Sequence, residues 1–416
     1  KQNNGITVEN HTEDISIVLK IIVLLYADDT VILASDPDSF QKCLDDFNDY
    51  CNDWKLKINV NKSKVIIFGC RNYNAFSFRI GDQNLEIIDS YKYLEIYFTE
   101  KGSFLNARKH LAEQAHKALH LLYTRINNLA LPIDLQLKLF DHTVLPIMTY
   151  ASEIWGFENV QILERIHAAF LRRITKTKKS TPHYMLYAEL GRHPIEIIIK
   201  ARMVGFWNRL VTSKQTKLSA LLYNVLHNTP GLKCKWINYV KQIFIDTGKF
   251  NIWLSQDPSH YNNLNSCIKR ILIDQNLQKW NASLENSSKG INYKLFKETI
   301  ELERYFLTLP PKQYLTLVKF RTSNHRFPVE TCRWEGIPLA DRKCNLCDKN
   351  DIADEVHYLL ICPFFAEHRS NYIDRYFYRR PNILKFKELL CINSVVKLKK
   401  LCKFIDILFK YFDNRP

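Results

Sequence analysis

The sequence predicts an α+β protein in which antiparallel hairpins and one helix come first, a long and mostly helical stretch follows, and a small metal-stabilised module lies toward the C-terminal end. Three observations carry this prediction. Short aliphatic and β-branched runs bounded by turn residues crowd the first hundred positions. Beyond residue 101, apolar residues recur at spacings of three and four, the period of a helix with one buried face. Cys344 and Cys347 are followed by His357 and Cys362, the ligand types and spacing of a single tetrahedral zinc site. With 416 residues, 46% of them hydrophobic and 12% aromatic, the chain is long enough to bury a substantial core over several domains.

Charge narrows the partners. Lys and Arg outnumber Asp and Glu by 59 to 43, and the resulting +16 favours polyanions, nucleic acid first among them, although a solvated basic face gives the same bias. The 11 cysteines are scattered, with no signal peptide ahead of them, so a reducing, intracellular compartment is expected, with nucleus and cytoplasm both compatible. The run Ile15 to Leu25 contains Lys20 and stops short of the roughly 18 to 20 residues of a membrane span. With 11 glycines and no evident period, a solenoid is not expected.

Element by element, Ile17 to Leu25 reads as a buried strand, and Thr30 to Ala34 as a second strand across a turn at Tyr26-Ala27-Asp28-Asp29. Alone, an Asp-Asp pair is simply a turn-former. At the tip of an apolar hairpin, the two adjacent carboxylates repel each other, and a divalent cation is a common physical reason for tolerating them. Ser35-Asp36-Pro37 supplies a helix cap and a first-turn proline, after which Phe40, Leu44, Phe47, Cys51 and Trp54 mark one face of a helix. Lys57 to Lys64 then leads into a strand at Val65 to Phe68, and Tyr91 to Ile96 opens another.

This order of strand, Tyr-Ala-Asp-Asp, strand, helix, Asn-x-x-Lys-Ser-Lys and Tyr-Leu-x-Ile resembles the palm of a non-LTR (LINE-type) retrotransposon reverse transcriptase from its catalytic hairpin onward. The resemblance implies that Asp28 binds the catalytic Mg²⁺ or Mn²⁺, that Asp29 supports the site, and that Tyr26 abuts the nucleotide and primer end. It also places Lys62 in the segment proposed to protonate the leaving pyrophosphate; a lysine beside Lys64 on a basic strand reads equally as a solvated or phosphate-facing charge. Where the family's primer-grip hairpin carries Gly in Tyr-Leu-Gly, this chain has Glu95, a departure at a position that wants close backbone approach or positive φ. Two-metal phosphoryl transfer needs carboxylates from more than one strand. The family's other aspartate and its fingers precede the hairpin and do not fit into the 27 residues before Asp28, so a fragment or decayed copy, inactive by itself, is expected.

Downstream, Leu105, Leu111, Ala115, Ala118, Leu119, Leu122 and Ile126 define a helix whose other face is expected to carry Arg108, Lys109, Lys117 and Arg125. Such a helix suits a duplex, and an ordinary amphipathic helix with a basic solvent face fits as well. The blocks Leu145 to Gly156 and Phe170 to Ile174 resemble the thumb of these elements. Lys176, Lys178 and Lys179 suit sequence-independent phosphate contact. Trp207, Trp236, Trp253 and Trp280 read as core rather than as base-stacking platforms, and Lys319 to His325 resembles the segment before the family's zinc knuckle. Asp348, Asp351, Asp354 and Glu355 make the knuckle's own field acidic, so its Zn²⁺ is read as structural, with any nucleic-acid contact left to Arg342, Lys343, His368 and Arg369. A basic amphipathic helix from Val395 to Phe412 is expected to pack on the zinc module.

The resemblance therefore implies a partial reverse-transcriptase palm at 1–100, a thumb-like helical region at 101–210, a helical connecting region at 211–330, a CCHC zinc knuckle at 331–370 and a basic helix at 371–416. Its implied partners are an RNA template, a DNA primer or target and, in the intact enzyme, dNTP. A non-catalytic nucleic-acid-binding protein retaining thumb and zinc module is the alternative.

Overall fold

A computed structural model describes residues 6–11, 16–21, 23–69, 75–214, 216–229 and 233–414, with the backbone alone described before Val23. The chain divides into two units: residues 1–113, 149–160 and 199–268 in one, and 114–148, 161–198 and 269–416 in the other.

The first unit opens with two hairpins. Strand β1 (Ile6–His11) pairs antiparallel with β2 (Ser16–Ile21), and β3 (Val23–Tyr26) pairs antiparallel with β4 (Asp29–Ile32). The expected single strand from Ile17 to Leu25 is thus split, its front half pairing upstream and its back half across the aspartate turn. Helix Pro37–Asp53 sets that limit, because its cap at Asp36 ends β4 at Ile32 and leaves a four-residue partner. The cap itself is as expected: the Asp36 carboxylate accepts the Ser39 N–H at 2.8 Å, and Pro37 fills the first turn. Trp54, by contrast, lies past the last helical residue and is 67% exposed, so it does not join the buried face.

Behind this helix, β5 (Lys64–Val65) runs parallel to β7 (Gln83–Ile87), which pairs antiparallel with β6 (Phe78–Ile80), in the order β5-β7-β6. Of the expected Val65 to Phe68 strand, Val65 alone therefore joins a sheet, together with Lys64 before it. Leu44, Val65, Phe78, Ile80 and Leu85 form the buried cluster, with Phe40 edge-on to Phe78 at 4.9 Å and Ile32 packed alongside. Full burial of each such side chain is worth about 1.5 to 3 kcal/mol. The hairpin β8 (Ser90–Tyr93) and β9 (Ile96–Thr99) follows. Leu94 and Glu95 take φ of 48° and 64°, the two left-handed residues of a type I′ turn, whose twist suits paired strands.

The helical remainder of this unit buries its tryptophans. Trp207 is fully buried, lies 4.7 Å from Phe244 and donates its indole N–H to Tyr223 Oη at 2.8 Å; Trp253 is also buried, and Trp236 is half-buried with its N–H on the Glu153 carbonyl. Gly156 is required here: a Cβ would fall 2.3 Å from Ile199 Cγ2 and 2.5 Å from the Ser152 carbonyl oxygen.

The second unit is helical. Phe140 and Phe170 stack at 4.4 Å, and Glu164 holds Tyr187 Oη at 2.8 Å and the Ile195 N–H at 3.0 Å. Trp280 is buried with its indole N–H on the Tyr184 carbonyl. A buried polar hub surrounds Arg321, whose guanidinium bonds both Glu189 oxygens at 3.0 and 3.1 Å, while Tyr293 and Tyr305 donate to the same carboxylate. Burial pushes Glu189 toward its neutral form, and the charges of Arg321 and Lys297 outweigh this and hold it ionised. Helix Val395–Asp413 buries Leu398, Leu401, Phe404, Ile405, Leu408 and Phe412 against helices Pro311–Arg321 and Ala366–Tyr372, with Phe412 4.8 Å from Tyr358 beside the Cys/His cluster. The tail packs beside the Cys/His cluster, as expected.

Candidate nucleic-acid interface and metal centre

The aspartate hairpin is exposed. Register places Tyr26 opposite Asp29, so Ala27, at φ 52°, and Asp28 form the two-residue tip. Leu25 is 72% and Tyr26 63% exposed, against the expectation of a buried strand. An apolar run signals a face suited to covering; among the described residues of this stretch, Ile32 is the one packed against the helix-backed cluster. Asp28 and Asp29 are hard oxygen donors of the right chemistry for a divalent cation. Among the described residues, no group of three or more metal-ligating side chains includes them.

Lys62 sits in the turn before β5. Its N–H bonds the Asn59 carbonyl at 3.1 Å, its own carbonyl accepts Tyr91 Oη–H at 3.1 Å, and its side chain is exposed. The turn is thus pinned from the hairpin of β8 and β9. Glu95, at the tip of that hairpin, keeps its carboxylate 3.1 Å from Lys92 Nζ and 3.8 Å from His110 Nε2. Positive φ is what a glycine at this position would supply without strain.

Helix Leu105–Leu129 carries Lys109, Lys117 and Arg125 exposed, as expected. Arg108 corrects the expectation: it is 8% exposed, its guanidinium on the Glu158 carboxylate and the Asn159 carbonyl. The four-residue spacing from Ala112 puts it on the buried side, and the acid that makes burial tolerable comes from 50 residues away. Lys176, Lys178 and Lys179 are exposed on the turn after helix Gln161–Thr175; Lys176 takes φ 49°, and the Lys178 N–H bonds Asn324 Oδ1 at 3.0 Å.

Cys344, Cys347, His357 and Cys362 bring their ligand atoms within 4.8 Å of one another. A two-strand bridge, Lys343 to Ile352, and the Cys344 N–H on the Asp351 carbonyl fold the Cys-x-x-Cys turn. The Leu346 N–H points at Cys344 Sγ at 3.4 Å. Cys344 and Cys362 sulfurs stand 3.9 Å apart, and Cys347 Sγ is 3.4 Å from His357 Nε2. Asp351 Oδ2 lies 3.2 Å from His357 Nδ1, which fixes the tautomer whose Nε2 lone pair faces the sulfurs. Burial lowers the His357 pKa, so the ring stays neutral, and burial pushes the Cys362 thiol up to about 12. A dication reverses that preference by binding the thiolate. The donor set fits Zn²⁺.

Sequence reasoning missed what holds this centre. Burial pushes Glu355 up, but hydrogen bonds from His325, at 2.8 Å, and Ser323, at 2.7 Å, hold its carboxyl down at about 2. Asn292 bridges Glu355 and Asp354. The acids between the ligand pairs thus act as anchors as well as an acidic field, and Lys319 to His325 supplies their partners. Arg369 and Arg342 are corrected in the same way. Arg369 is 3% exposed and donates to the carbonyls of Leu359, Tyr358 and Cys362; Arg342 donates to those of Ile337 and Val329. Lys343 and His368 remain exposed. No helix among the described residues is long and apolar enough to cross a membrane.

The class of protein comes from the comparisons with known proteins. A family model for reverse transcriptase (RNA-dependent DNA polymerase) matches residues 5–102. A putative uncharacterised transposon-derived protein of Caenorhabditis elegans is 31% identical over 226 residues, which cover 48% of this chain and 75% of that protein. The RNA-directed DNA polymerase from mobile element jockey of Drosophila melanogaster is 23% identical over 186 residues, 41% of this chain and 19% of that polymerase. This chain belongs to the transposon-derived, reverse-transcriptase-related family, and it spans about a fifth of the jockey polymerase.

Proposed function

We propose that this chain is the part of a retrotransposon RNA-directed DNA polymerase that runs from the catalytic hairpin through thumb and zinc knuckle. The observation that carries the reading is the hairpin in which Tyr26 faces Asp29 and Asp28 stands exposed at the tip, within the segment matched to reverse transcriptases. In this reading residues 1–100 are half of the palm, 101–210 the thumb-like region, 211–330 the connecting helices, 331–370 the knuckle and 371–416 the basic helix. Asp28, supported by Asp29, contributes to a Mg²⁺ or Mn²⁺ site, and the ions would stabilise charge on the transferring phosphoryl group. Tyr26 meets the nucleotide, and Lys62 meets the pyrophosphate. Lys109, Lys117, Arg125, Lys176, Lys178 and Lys179 meet the backbone of template and primer, while Arg108 is left to its ion pair.

The donors described at the hairpin amount to one strand's carboxylates, so the 416-residue chain on its own is proposed to bind nucleic acid without sequence preference and not to extend a primer. The second reading, a non-catalytic nucleic-acid-binding protein, is favoured by one contrast: among the described residues, the four zinc donors form a group of metal-ligating side chains, and Asp28 and Asp29 join no group of three or more. Primer extension by the purified chain on an RNA template, with Asp28→Asn as control, tests the first half. Incorporation that depends on Asp28 would overturn the inactivity. Binding that is undetectable, or insensitive to salt, would overturn the nucleic-acid role, since backbone contacts release counterions and weaken steeply as salt rises.

A further inference from the structure

In the second unit, an open cleft of about 570 Å³ lies against Ser180, Tyr184, Asn286, Lys289, Arg333 and Trp334. Its chemistry is not that of a core. Trp334 is 68% exposed at the end of helix Pro328–Trp334, and the Arg333 guanidinium lies 4.7 Å from its ring centroid. One ring face is thereby covered by a cation, and the exposure leaves the other open to a flat ligand. Lys289 is 7% exposed, yet the bonds described for its Nζ go to neutral acceptors, the Ser180 carbonyl at 3.3 Å and Ser180 Oγ at 3.5 Å.

The neighbouring acid does not neutralise the cleft. Glu330 gives one carboxylate oxygen to the Gly290 N–H at 3.0 Å and the other to Arg333 Nε at 3.2 Å. Gly290 suits this turn because its φ of 62° is one that residues with a Cβ adopt only under strain. Arg333 and Lys178 both bear on Lys289 as like charges and Glu330 as the opposite one, so of these four groups three are cations. Burial, with the repulsion of Arg333 and Lys178, holds the Lys289 amine down to about 8 in spite of the pull of Glu330.

We propose that this cleft binds one nucleotide of a single-stranded nucleic acid, its base stacked on Trp334 and its phosphate held by Lys289, Lys178 and Arg333. The inference rests on the nucleic-acid-binding reading above and adds a site to it. An exposed aromatic face beside buried and surface cations is what a base and its phosphate require together. A duplex keeps its base faces stacked within itself, which is why an unpaired strand is the class named.

The test uses the full chain with fluorescein-labelled oligothymidylate, oligouridylate and a duplex of equal length, read by anisotropy over a salt series. Trp334→Ala should weaken binding of the single strands about tenfold, leave the duplex unchanged, and leave the salt slope unchanged. Trp334→Phe should recover most of the loss. Lys178→Ala should instead reduce the single-strand slope of log K against log salt by about 0.7. A loss on both single strands assigns base-face recognition common to DNA and RNA, and a loss on one names the strand bound. Since Trp334 is largely exposed, an unchanged melting profile of Trp334→Ala is expected to accompany the loss. Salt-dependent binding that ignores Trp334→Ala, or a loss equal on duplex and single strands, overturns the cleft and leaves the broader reading standing. A parent chain that binds no probe overturns both.

Discussion

Replacing Asp351 with alanine isolates what the surroundings contribute to the Cys344, Cys347, His357, Cys362 centre. The carboxylate is not a candidate ligand; it touches the centre through His357 Nδ1 at 3.2 Å, and the Asp351 carbonyl that accepts the Cys344 N–H survives the substitution. Losing such a partner typically weakens metal binding by about 10- to 100-fold. The Asp351 side chain is 41% exposed, so water can replace much of the lost bond, and the low end is expected: about tenfold, or roughly 1.4 kcal/mol. Competition with a chromophoric zinc chelator under reducing conditions reads this directly. Asp348→Ala is the control, since that exposed acid lies in the same loop without a described bond to a ligand. Equal weakening by both substitutions would mean that the loop's negative field acts and not the bond to His357. An Asp351→Ala curve that overlays the parent, or a parent that takes up no zinc, would refute the reasoning altogether.

Glu95→Gly should stabilise the first unit by about 0.5 to 1 kcal/mol, because it relieves φ 64° at the hairpin tip and gives up only pairs made by an exposed carboxylate with Lys92 and His110; a lowered urea midpoint would contradict this. Arg321→Met should destabilise by about 3 to 5 kcal/mol by leaving Glu189 buried without its cation, and adding Glu189→Gln should restore part of that in thermal melts. Lys289→Met should raise the urea midpoint near neutral pH while weakening oligonucleotide binding. Its folded pKa, about 8, lies below the unfolded 10.5, so the charged form burdens the fold below 8 and the burden disappears as pH rises through 10.5; a gain that persists above that pH would rule out the charge as its cause.

What could be read from the sequence followed from how local each signal is. The Asp36-Pro37 cap, the helix face at Phe40, Leu44 and Phe47, and the zinc donors at Cys344, Cys347, His357 and Cys362 are set within a few turns of chain, and each stands where its spacing placed it. The misreadings arose where a partner is distant. Arg108 looks like any other basic residue on a helix until Glu158 is folded beside it, and Arg369 and Arg342 look like phosphate contacts until backbone carbonyls take up their donors. The same logic explains Glu355: its neighbours in sequence make it part of an acidic stretch, whereas His325 and Ser323, 30 and 32 residues upstream, make it an anchor. Trp334 is the converse case. A tryptophan is by default a core residue, and only its 68% exposure, with Lys289 held nearby on neutral acceptors, marks it as a surface built for a ligand. The buried arginines spend their donors inside the fold, on acids or on backbone carbonyls, and Lys289, on two serine oxygens with its nearby acid bonded to Arg333, is where a buried cation beside an open ring has room for a charge from outside.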